Sequence, residues 1–367
     1  MKKYFGLILL VLLILTAGIC SAQTANEDAE EPVIIDHIVV GNPTPMQGNF
    51  FTEMWGNATS DIDVRSLIHG YNLVRWDGEE GVFALDPSVV KSITVLENEA
   101  GDRSCLLTLH DDLYYSDGSK ITAWDYTFSF LLQIAPEIRE IGGKPLQKSF
   151  LSGYDAYVRG ETKQLAGVRV PADDTLMITI SHESLPFFYE MGLLMCAPFP
   201  IHVIAPGVEV RDDGEGVYLA NIDDSLKEPE FRAELLRQTI LDPERGYRSH
   251  PSVTCGPYVL SSWDEESRTA QLVRNPYYIG DAKGNKPQIQ WITYMTADNE
   301  DMIEKLKNAD FDLLNKVTQS ETIMAGQKLM GEGGFSMSNY PRVGLSFISF
   351  RMVNPAVSSR AVRQAIA

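Results

Sequence analysis

The sequence has few basic residues and few cysteines. Lysine and arginine total 31 against 50 aspartate and glutamate residues, so the formal net charge is −19. Nucleic-acid binding requires basic surface that displaces phosphate counterions, and this balance excludes a sequence-independent nucleic-acid binder. Four cysteines in 367 residues cannot form the framework of a disulfide-rich scaffold. A chain of this length does not need one, because it can bury a sufficient apolar core.

The sequence also lacks the motifs of common catalytic and metal sites. It contains no HExxH, no CxxC, no GxSxG elbow and no glycine-rich phosphate loop. No two of its six histidines stand at a metal-binding spacing. Residues 111–118 read DDLYYSDG, which lacks the alternating acids and closing glutamate of a calcium loop and predicts turns instead. We therefore predict neither a metal nor a cofactor.

The N-terminal residues are typical of an export signal. Lys2 and Lys3 precede an apolar run over residues 5–15, which is too short for a comfortable membrane span. Residues 23–32 are polar and acidic and predict a disordered tether. We therefore expect an exported protein in the periplasm or on the outer face of the cell membrane.

Two processing routes compete at the end of this signal, and an uncleaved anchor is a third interpretation. Small residues favour cleavage after Ala22, which would make residues 1–22 a signal peptide. Lipid attachment at Cys20 is less favoured, because Ile19 is larger than the residue that normally precedes a lipidated cysteine. Three cysteines would remain after cleavage, so at most one disulfide forms, and a Cys196–Cys255 pair is only a guess; the third is Cys105.

Alternating apolar residues predict several strands. Residues 92–97 with 104–110, and residues 167–170 with 175–180, are predicted to form antiparallel hairpins. Further strands are predicted at residues 33–40, 258–263, 269–274 and 289–295. Residues 208–251 are predicted to be an acidic loop with one helix. Strands and helices are thus intermixed, which indicates an α/β or mixed α+β fold with more than one sheet.

The clearest helix start lies at Thr122. Its hydroxyl, with the carboxylate of Asp125 three residues later, can form a capping box. Apolar residues then recur at helical spacing up to Pro136: Trp124, Phe128, Leu131, Leu132 and Ala135. This spacing predicts that Trp124 and Phe128 are core residues.

Aromatic residues also occur where loops are predicted. Phe50, Phe51 and Trp55 lie in the loop of residues 41–59, and Tyr71 follows a short predicted helix through a glycine. Packing and ligand contact are both open for the three loop aromatics, and at Tyr71 a structural turn competes with a close approach to a ligand. Cys255, in contrast, lacks any assignable activating partner and is predicted to be a buried structural cysteine.

Several motifs occur in a fixed order along the chain. Residues 107–126 read LTLHDDLYYSDGSKITAWDY, a strand and turn that lead to the helix start. Downstream motifs are CGPYVL at 255–260, RNPYY at 274–278, FDL at 311–313 and RAVRQAIA at 360–367. Their order and spacing, from about residue 33 onward, resemble those of the family 5 extracellular solute-binding proteins, the oligopeptide- and dipeptide-binding group of ABC importers.

The resemblance implies a two-lobed clamp like the type II periplasmic binding proteins. Members of this family usually continue beyond the last motif, so we expect the second lobe to be incomplete and the chain to be a fragment. The implied divisions are a main domain of lobe 1 at residues 33–60 and 165–296, a smaller subdomain at 61–164, and the start of lobe 2 at 297–367.

The resemblance further implies a monomeric, non-enzymatic receptor without a cofactor. It would capture short peptides between its lobes and deliver them to a membrane permease. The ligand contacts implied in this sequence are Phe51, Trp55, Asn57 and Tyr71, with Tyr294 near the crossover between lobes. The alternatives are a secreted hydrolase of glycan or cell-wall material and a non-functional truncated remnant.

Overall fold

The computed structural model describes residues 36–339 and 347–366. The predicted export signal and acidic tether lie outside these residues. The chain divides into two compact units, residues 1–317 and 318–367. Within the described ranges, no helix has both the length and the apolar character needed to cross a bilayer.

Strands and helices alternate irregularly in the larger unit, and the smaller unit is helical where it is described. The strands are β1 (His37–Asn42), β2 (Val74–Asp77), β3 (Val82–Leu85), β4 (Val90–Glu97), β5 (Arg103–Leu109), β6 (Val168–Ala172), β7 (Thr175–Ile180), β8 (Val208–Asp212), β9 (Val217–Asn221), β10 (Tyr258–Asp264), β11 (Thr269–Arg274), β12 (Trp291–Thr296) and β13 (Leu313–Leu314). The α-helices are Thr59–Ile68, Ala123–Ile134, Pro136–Glu140, Tyr154–Val158, Glu190–Leu193, Ile201–Ile204, Ala233–Ile240, Met302–Lys307, Ser320–Glu332, Pro355–Ser358 and Arg360–Ile366.

One mixed sheet joins the beginning of the described chain to its later part. Its strand order is β10-β11-β12-β1-β13. Strands β10 to β12 are antiparallel, whereas β1 is parallel to both β12 and β13, with Val40 opposite Tyr294 and Leu313. Apolar side chains of β1, β11 and β12 pack with the helix Thr59–Ile68 in a core that includes Val40, Val64, Ile68, Leu272 and Ile292. The predicted strands at residues 258–263, 269–274 and 289–295 are confirmed within one or two residues at each end.

A second sheet has the antiparallel order β4-β5-β7-β6 and contains both predicted hairpins. The helix Ala123–Ile134 packs against this sheet. Its capping box is confirmed: the Thr122 backbone N–H and hydroxyl donate to Asp125 Oδ2 at 2.8 and 3.0 Å. Phe128 is fully buried, as predicted. Trp124 is only half-buried, and its Nε1 donates to Asp173 Oδ1 at 2.9 Å.

The predicted acidic loop at residues 208–251 is wrong in its first part, where β8 and β9 form a hairpin. Val208 and Val210 alternate into the core, and Asp212 contributes an internal ion pair rather than a solvated charge. Arg169 Nε donates to both Asp212 oxygens at 2.8 and 2.9 Å. The predicted helix of this segment is present as Ala233–Ile240.

The guess of a Cys196–Cys255 disulfide is wrong. Cys105, Cys196 and Cys255 are all unpaired and buried, and the prediction of a buried structural Cys255 is confirmed. The turn predicted near Asp117 is also confirmed, because Asp117 Oδ1 accepts hydrogen bonds from the backbone N–H and hydroxyl of Ser119. Gly118 adopts the left-handed conformation (φ +84°) that this turn requires.

Candidate functional site

The carboxyl ends of the parallel strands β12, β1 and β13 lie along one edge of the mixed sheet. In open sheets with parallel strands, ligand sites and hinges are characteristically found at this edge. Polar residues follow directly where the strands end: Asn42 is the last residue of β1, and Asn315 and Lys316 follow β13. We therefore consider this edge, which we call the crossover edge, the candidate functional site.

Asp63 connects these polar residues. It projects from the helix Thr59–Ile68, and its Oδ2 accepts hydrogen bonds of 3.0 Å from Asn42 Nδ2 and from Asn315 Nδ2. Its other oxygen, Oδ1, lies 2.5 Å from Lys316 Nζ. The Asp63 and Lys316 side chains retain 15% and 29% of their surface exposed, so the ion pair is partly shielded from water. One carboxylate thus joins the helix to the ends of two strands.

Further hydrogen bonds fix the chain just before the boundary between the units. Lys316 Nζ also donates to Thr59 O at 3.0 Å, and the Asn315 backbone N–H donates to Gly41 O at 2.9 Å. Asn315 Nδ2 lies 3.5 Å from Tyr294 Oη. Lys316 itself has a positive φ of 60°. The segment that leaves the sheet is therefore held by both side-chain and backbone contacts.

The protonation of Asp63 reflects two opposing effects. Burial raises the pKa of Asp63, whereas the Lys316 ion pair and the amide hydrogen bonds lower it. The pKa remains above its ordinary value, because desolvation is the largest contribution. Lys316 therefore offsets part of the free-energy cost that burial imposes on the ionised form of Asp63.

Gly41 permits close packing at the same edge. A Cβ atom at this position would lie 2.9 Å from Ala297 Cβ and 3.0 Å from Leu314 Cδ2. It would also lie 3.1 Å from Phe311 Cδ1. Only a residue without a side chain fits between these groups without a shift of its neighbours.

Of the five predicted ligand contacts, Tyr294 alone lies at the crossover edge. Its side chain is 7% exposed and belongs to the core beneath the mixed sheet. Sequence reasoning missed Asn42, Asp63, Asn315 and Lys316. A usable signal was present for Asn42, which lies just after the predicted strand of residues 33–40, but nothing in the sequence indicated that Asp63 lies between Asn42 and Asn315.

The aromatic loop residues lie elsewhere in the larger unit. Phe51 is buried, with its ring centroid 4.7 Å from that of Phe199, and it stacks loosely on the half-buried Trp55 at 6.2 Å. Asn57 is exposed, and its Oδ1 accepts a 2.6 Å hydrogen bond from Arg65.

Tyr71 is buried in the same core cluster as Phe51. Its ring stacks on that of Tyr278 at 5.3 Å, and its Oη accepts a hydrogen bond from Ile279 N at 2.9 Å. The five residues do not form one cluster, and ligand contact by any of them stays a prediction.

The chemistry of the crossover edge is that of a structural anchor. Its carboxylate is paired with a lysine, and both of its oxygens accept hydrogen bonds from protein groups. Over residues 36–339 and 347–366, no group of three or more histidine, cysteine or acidic side chains is placed to hold a metal ion.

Comparison with protein families identifies a family for this chain. The model of the bacterial extracellular solute-binding proteins, family 5 Middle, matches residues 84–367. Among curated proteins, the oligopeptide-binding protein OppA of Lactococcus lactis subsp. cremoris (strain SK11) is 24% identical over 278 residues, which are 71% of this chain and 39% of OppA. The probable D,D-dipeptide-binding periplasmic protein DdpA of Escherichia coli (strain K12) is 20% identical over 295 residues, which are 80% of this chain and 45% of DdpA.

Solved structures show the same fold at low sequence identity. Lactococcal OppA, complexed with an endogenous peptide in the closed conformation, has a TM-score of 0.53 at 17% identity, over 78% of this chain and 47% of OppA. The periplasmic EDTA-binding protein EppA has a TM-score of 0.54 at 16% identity, over 81% of this chain and 46% of EppA. The chain spans less than half the length of these relatives. The predicted mixed α/β fold of the two-lobed binding-protein type is confirmed.

Proposed function

Because the chain belongs to the bacterial extracellular solute-binding proteins, family 5, we propose that it is the receptor of an ABC importer for short peptides. In this proposal the receptor captures a peptide between two lobes and delivers it to membrane permease subunits. It makes and breaks no covalent bond and uses no cofactor. Relatives named as oligopeptide- and D,D-dipeptide-binding proteins support a peptide as the ligand class.

The observation that carries this proposal is the parallel crossover of β12, β1 and β13. The chain returns to the sheet of its first described strand and then leaves it through a segment anchored at Asp63. Strands that cross between lobes can act as a hinge, because small changes at the strand ends rotate one lobe while the sheet stays rigid. A ligand that binds the closed form more tightly then shifts the equilibrium towards closure.

An extended peptide suits such a cleft because backbone hydrogen bonds to strand edges tolerate varied side chains. Within the proposed contact set, Trp55 and Asn57 retain solvent-accessible surface. Phe51, Tyr71 and Tyr294 are buried, and in the proposal they support the wall from beneath. Each chain has its own contact set, so the receptor works as a monomer at low concentration.

Export completes the proposal. The basic start, the apolar run over residues 5–15 and the small residues before position 23 support a signal peptide cleaved after Ala22. Lipid attachment at Cys20 is the alternative, and incorporation of a fatty-acid analogue into the full-length protein would establish it. Either route places the receptor outside the cytoplasm, where an importer meets its ligand.

Isothermal titration calorimetry of the full chain against di- to pentapeptide pools tests the ligand class. We expect saturable heat from at least one peptide pool and none from matched sugars. A Ni²⁺–EDTA chelate is the second comparison, since one structural relative is named as an EDTA-binding protein. Heat from sugars or chelates with none from peptides would refute the peptide assignment.

A further inference from the structure

Strand β4 is an open edge of the second sheet. It pairs with β5 on one side, and none of the described strands pairs with it on the other. All but two of its residues are exposed, including the apolar Val95 and Leu96, at 51% and 55%. A long exposed edge with apolar side chains is a template for pairing with another strand.

The backbone phase of this edge follows from its neighbours. The pairing of β4 with β5 has a bulge at Lys91. Beyond β4, the Asn98 N–H donates to Asp102 O. Because hydrogen-bonded positions alternate in an antiparallel pair, the even-numbered residues from 92 onward direct their backbone groups towards β5. Ile93, Val95 and Glu97 therefore direct their N–H and C=O groups outward. In the part of the chain that the structure describes, no backbone group bonds to these outward groups.

The sequence of β4 is complementary to itself in an antiparallel pairing centred on Thr94. That register places Ile93 opposite Val95 of a second copy and Lys91 opposite Glu97 of the second copy. The outward groups of Ile93 and Val95 then meet in a hydrogen-bonded pair, as the phase requires. Ile93 thus faces an apolar residue and Lys91 faces an opposite charge, and both kinds of cross-strand pair are stabilising, whereas Leu96 faces Ser92.

We propose that two copies of this chain associate through their β4 strands, with Thr94 on the two-fold axis. The two four-stranded sheets then form one continuous sheet. The bulge at Lys91 limits the paired segment, and the charge of −19 on each chain opposes association, so the dimer is weak and reversible. The occupant is a second copy rather than an unrelated strand, because the charge pairs and the backbone phase both match in a single register.

The existing ion pairs of these residues do not prevent the new contacts. Lys91 Nζ lies 3.0 Å from Asp111, and Glu97 lies 3.5 Å from Arg103, both at exposed positions. Each charged side chain can serve two partners, and exposed pairs of this kind are individually weak. This inference is independent of the proposed ligand and stands or falls on the β4 edge alone.

Sedimentation velocity of the full chain over a concentration series gives the first test. We expect reversible dimerisation, weakened about tenfold by Lys91→Glu or Glu97→Lys and restored in the double variant. Lys286→Glu matches the charge change at an exposed site away from β4 and should leave dimerisation unaltered. A parent chain that stays monomeric, or a double variant that fails to recover, would overturn the proposal.

Cysteine cross-linking tests the register without relying on charge. Thr94→Cys should form a covalent dimer under mild oxidation, because residues opposite each other in a strand pair have Cβ atoms about 5 Å apart. Ser92→Cys and Leu96→Cys should each remain monomeric alone but cross-link when mixed. The parent chain, with its own cysteines, sets the background. Equal cross-linking by all three single variants, or none by Thr94→Cys, would exclude this pairing.

Discussion

Lys316 Nζ donates a hydrogen bond to Asp63 Oδ1 across 2.5 Å and thereby joins the segment that follows β13 to the helix Thr59–Ile68. The two residues are distant in the sequence, and each is bonded to further groups of the same edge. The contact thus links the helix that packs against the mixed sheet to the segment that precedes the smaller unit.

Loss of this lysine should destabilise the larger unit. Lys316→Met leaves the Asp63 carboxylate shielded without a cation, and we expect a loss of about 2 kcal/mol in the free energy of unfolding at pH 7. The additional change Asp63→Asn should recover much of it, because it removes the uncompensated charge. Urea denaturation measures both.

Acid and an exposed ion pair provide the controls for this prediction. Lys316 lowers the pKa of Asp63, so this pKa rises further in Lys316→Met. The penalty of the substitution should therefore shrink as the pH falls and the carboxyl is protonated. Lys305→Met, which removes an exposed pair with Asp301, should change stability by less than about 0.5 kcal/mol. Equal losses for Lys316→Met and Lys305→Met would contradict the anchoring role.

Substitution at Gly41 should distort the crossover. The Cβ of Gly41→Ala would contact Ala297 at 2.9 Å, and we expect a destabilisation of about 1–3 kcal/mol. Gly78→Ala is the matched control, since no heavy atom lies within 4 Å of a Cβ built there. Thermal melts of the two variants give the comparison. Similar melting temperatures for both would show that the edge adapts freely.

Acid should destabilise the fold through His69. This imidazole bonds to Phe50 O at 2.8 Å and packs near the rings of Phe51 and Tyr247. Burial lowers the pKa of His69 to about 4. The unfolded chain takes up this proton near pH 6.5, so stability is full above that pH and falls as the pH drops towards 4.

The size of this effect is about 3 kcal/mol across the window from pH 6.5 to 4. His69→Gln retains a donor for Phe50 O but cannot be protonated. We therefore expect a shallower dependence of unfolding free energy on pH in this variant, measured by denaturant titrations at several pH values. A slope identical to that of the parent would rule out His69 as the source.

The Arg169–Asp212 pair should hold the β8 edge onto β6. Asp212 has only 7% of its side chain exposed, and it also accepts a hydrogen bond from Val170 N at 2.8 Å. Arg169→Met removes its cation, with an expected cost of about 2 kcal/mol. Arg159→Met, at an exposed pair with Glu161, should cost less than about 0.5 kcal/mol. Chemical denaturation distinguishes the two, and a loss confined to Arg159→Met would contradict the assignment.

Local patterns were sufficient for the regular elements. The hairpin of β4 and β5 and the capping box at Thr122 depend on residues close in sequence, and alternation or spacing alone identified them. The mixed α/β class and the positions along the chain of the strands after residue 257 were predicted in the same way. These features need no knowledge of what packs against them.

Features that depend on distant residues were missed or misjudged. The acidity of residues 208–251 suggested a solvated loop, because nothing local shows that Asp212 pairs with Arg169. Phe51 lies in a loop by pattern, yet it fills the core against Phe199. The Asp63 anchor requires three segments to meet, and single-sequence periodicity carries no information about such a meeting.

The three unpaired cysteines have a consequence for handling the protein. Burial raises the pKa of Cys105 to about 11 and those of Cys196 and Cys255 to about 12, so almost no thiolate is present at neutral pH. Disulfide exchange proceeds through the thiolate, and Cys105, Cys196 and Cys255 should therefore remain thiols in both reducing and oxidising surroundings. Alkylation of these thiols would report each transient opening of the core.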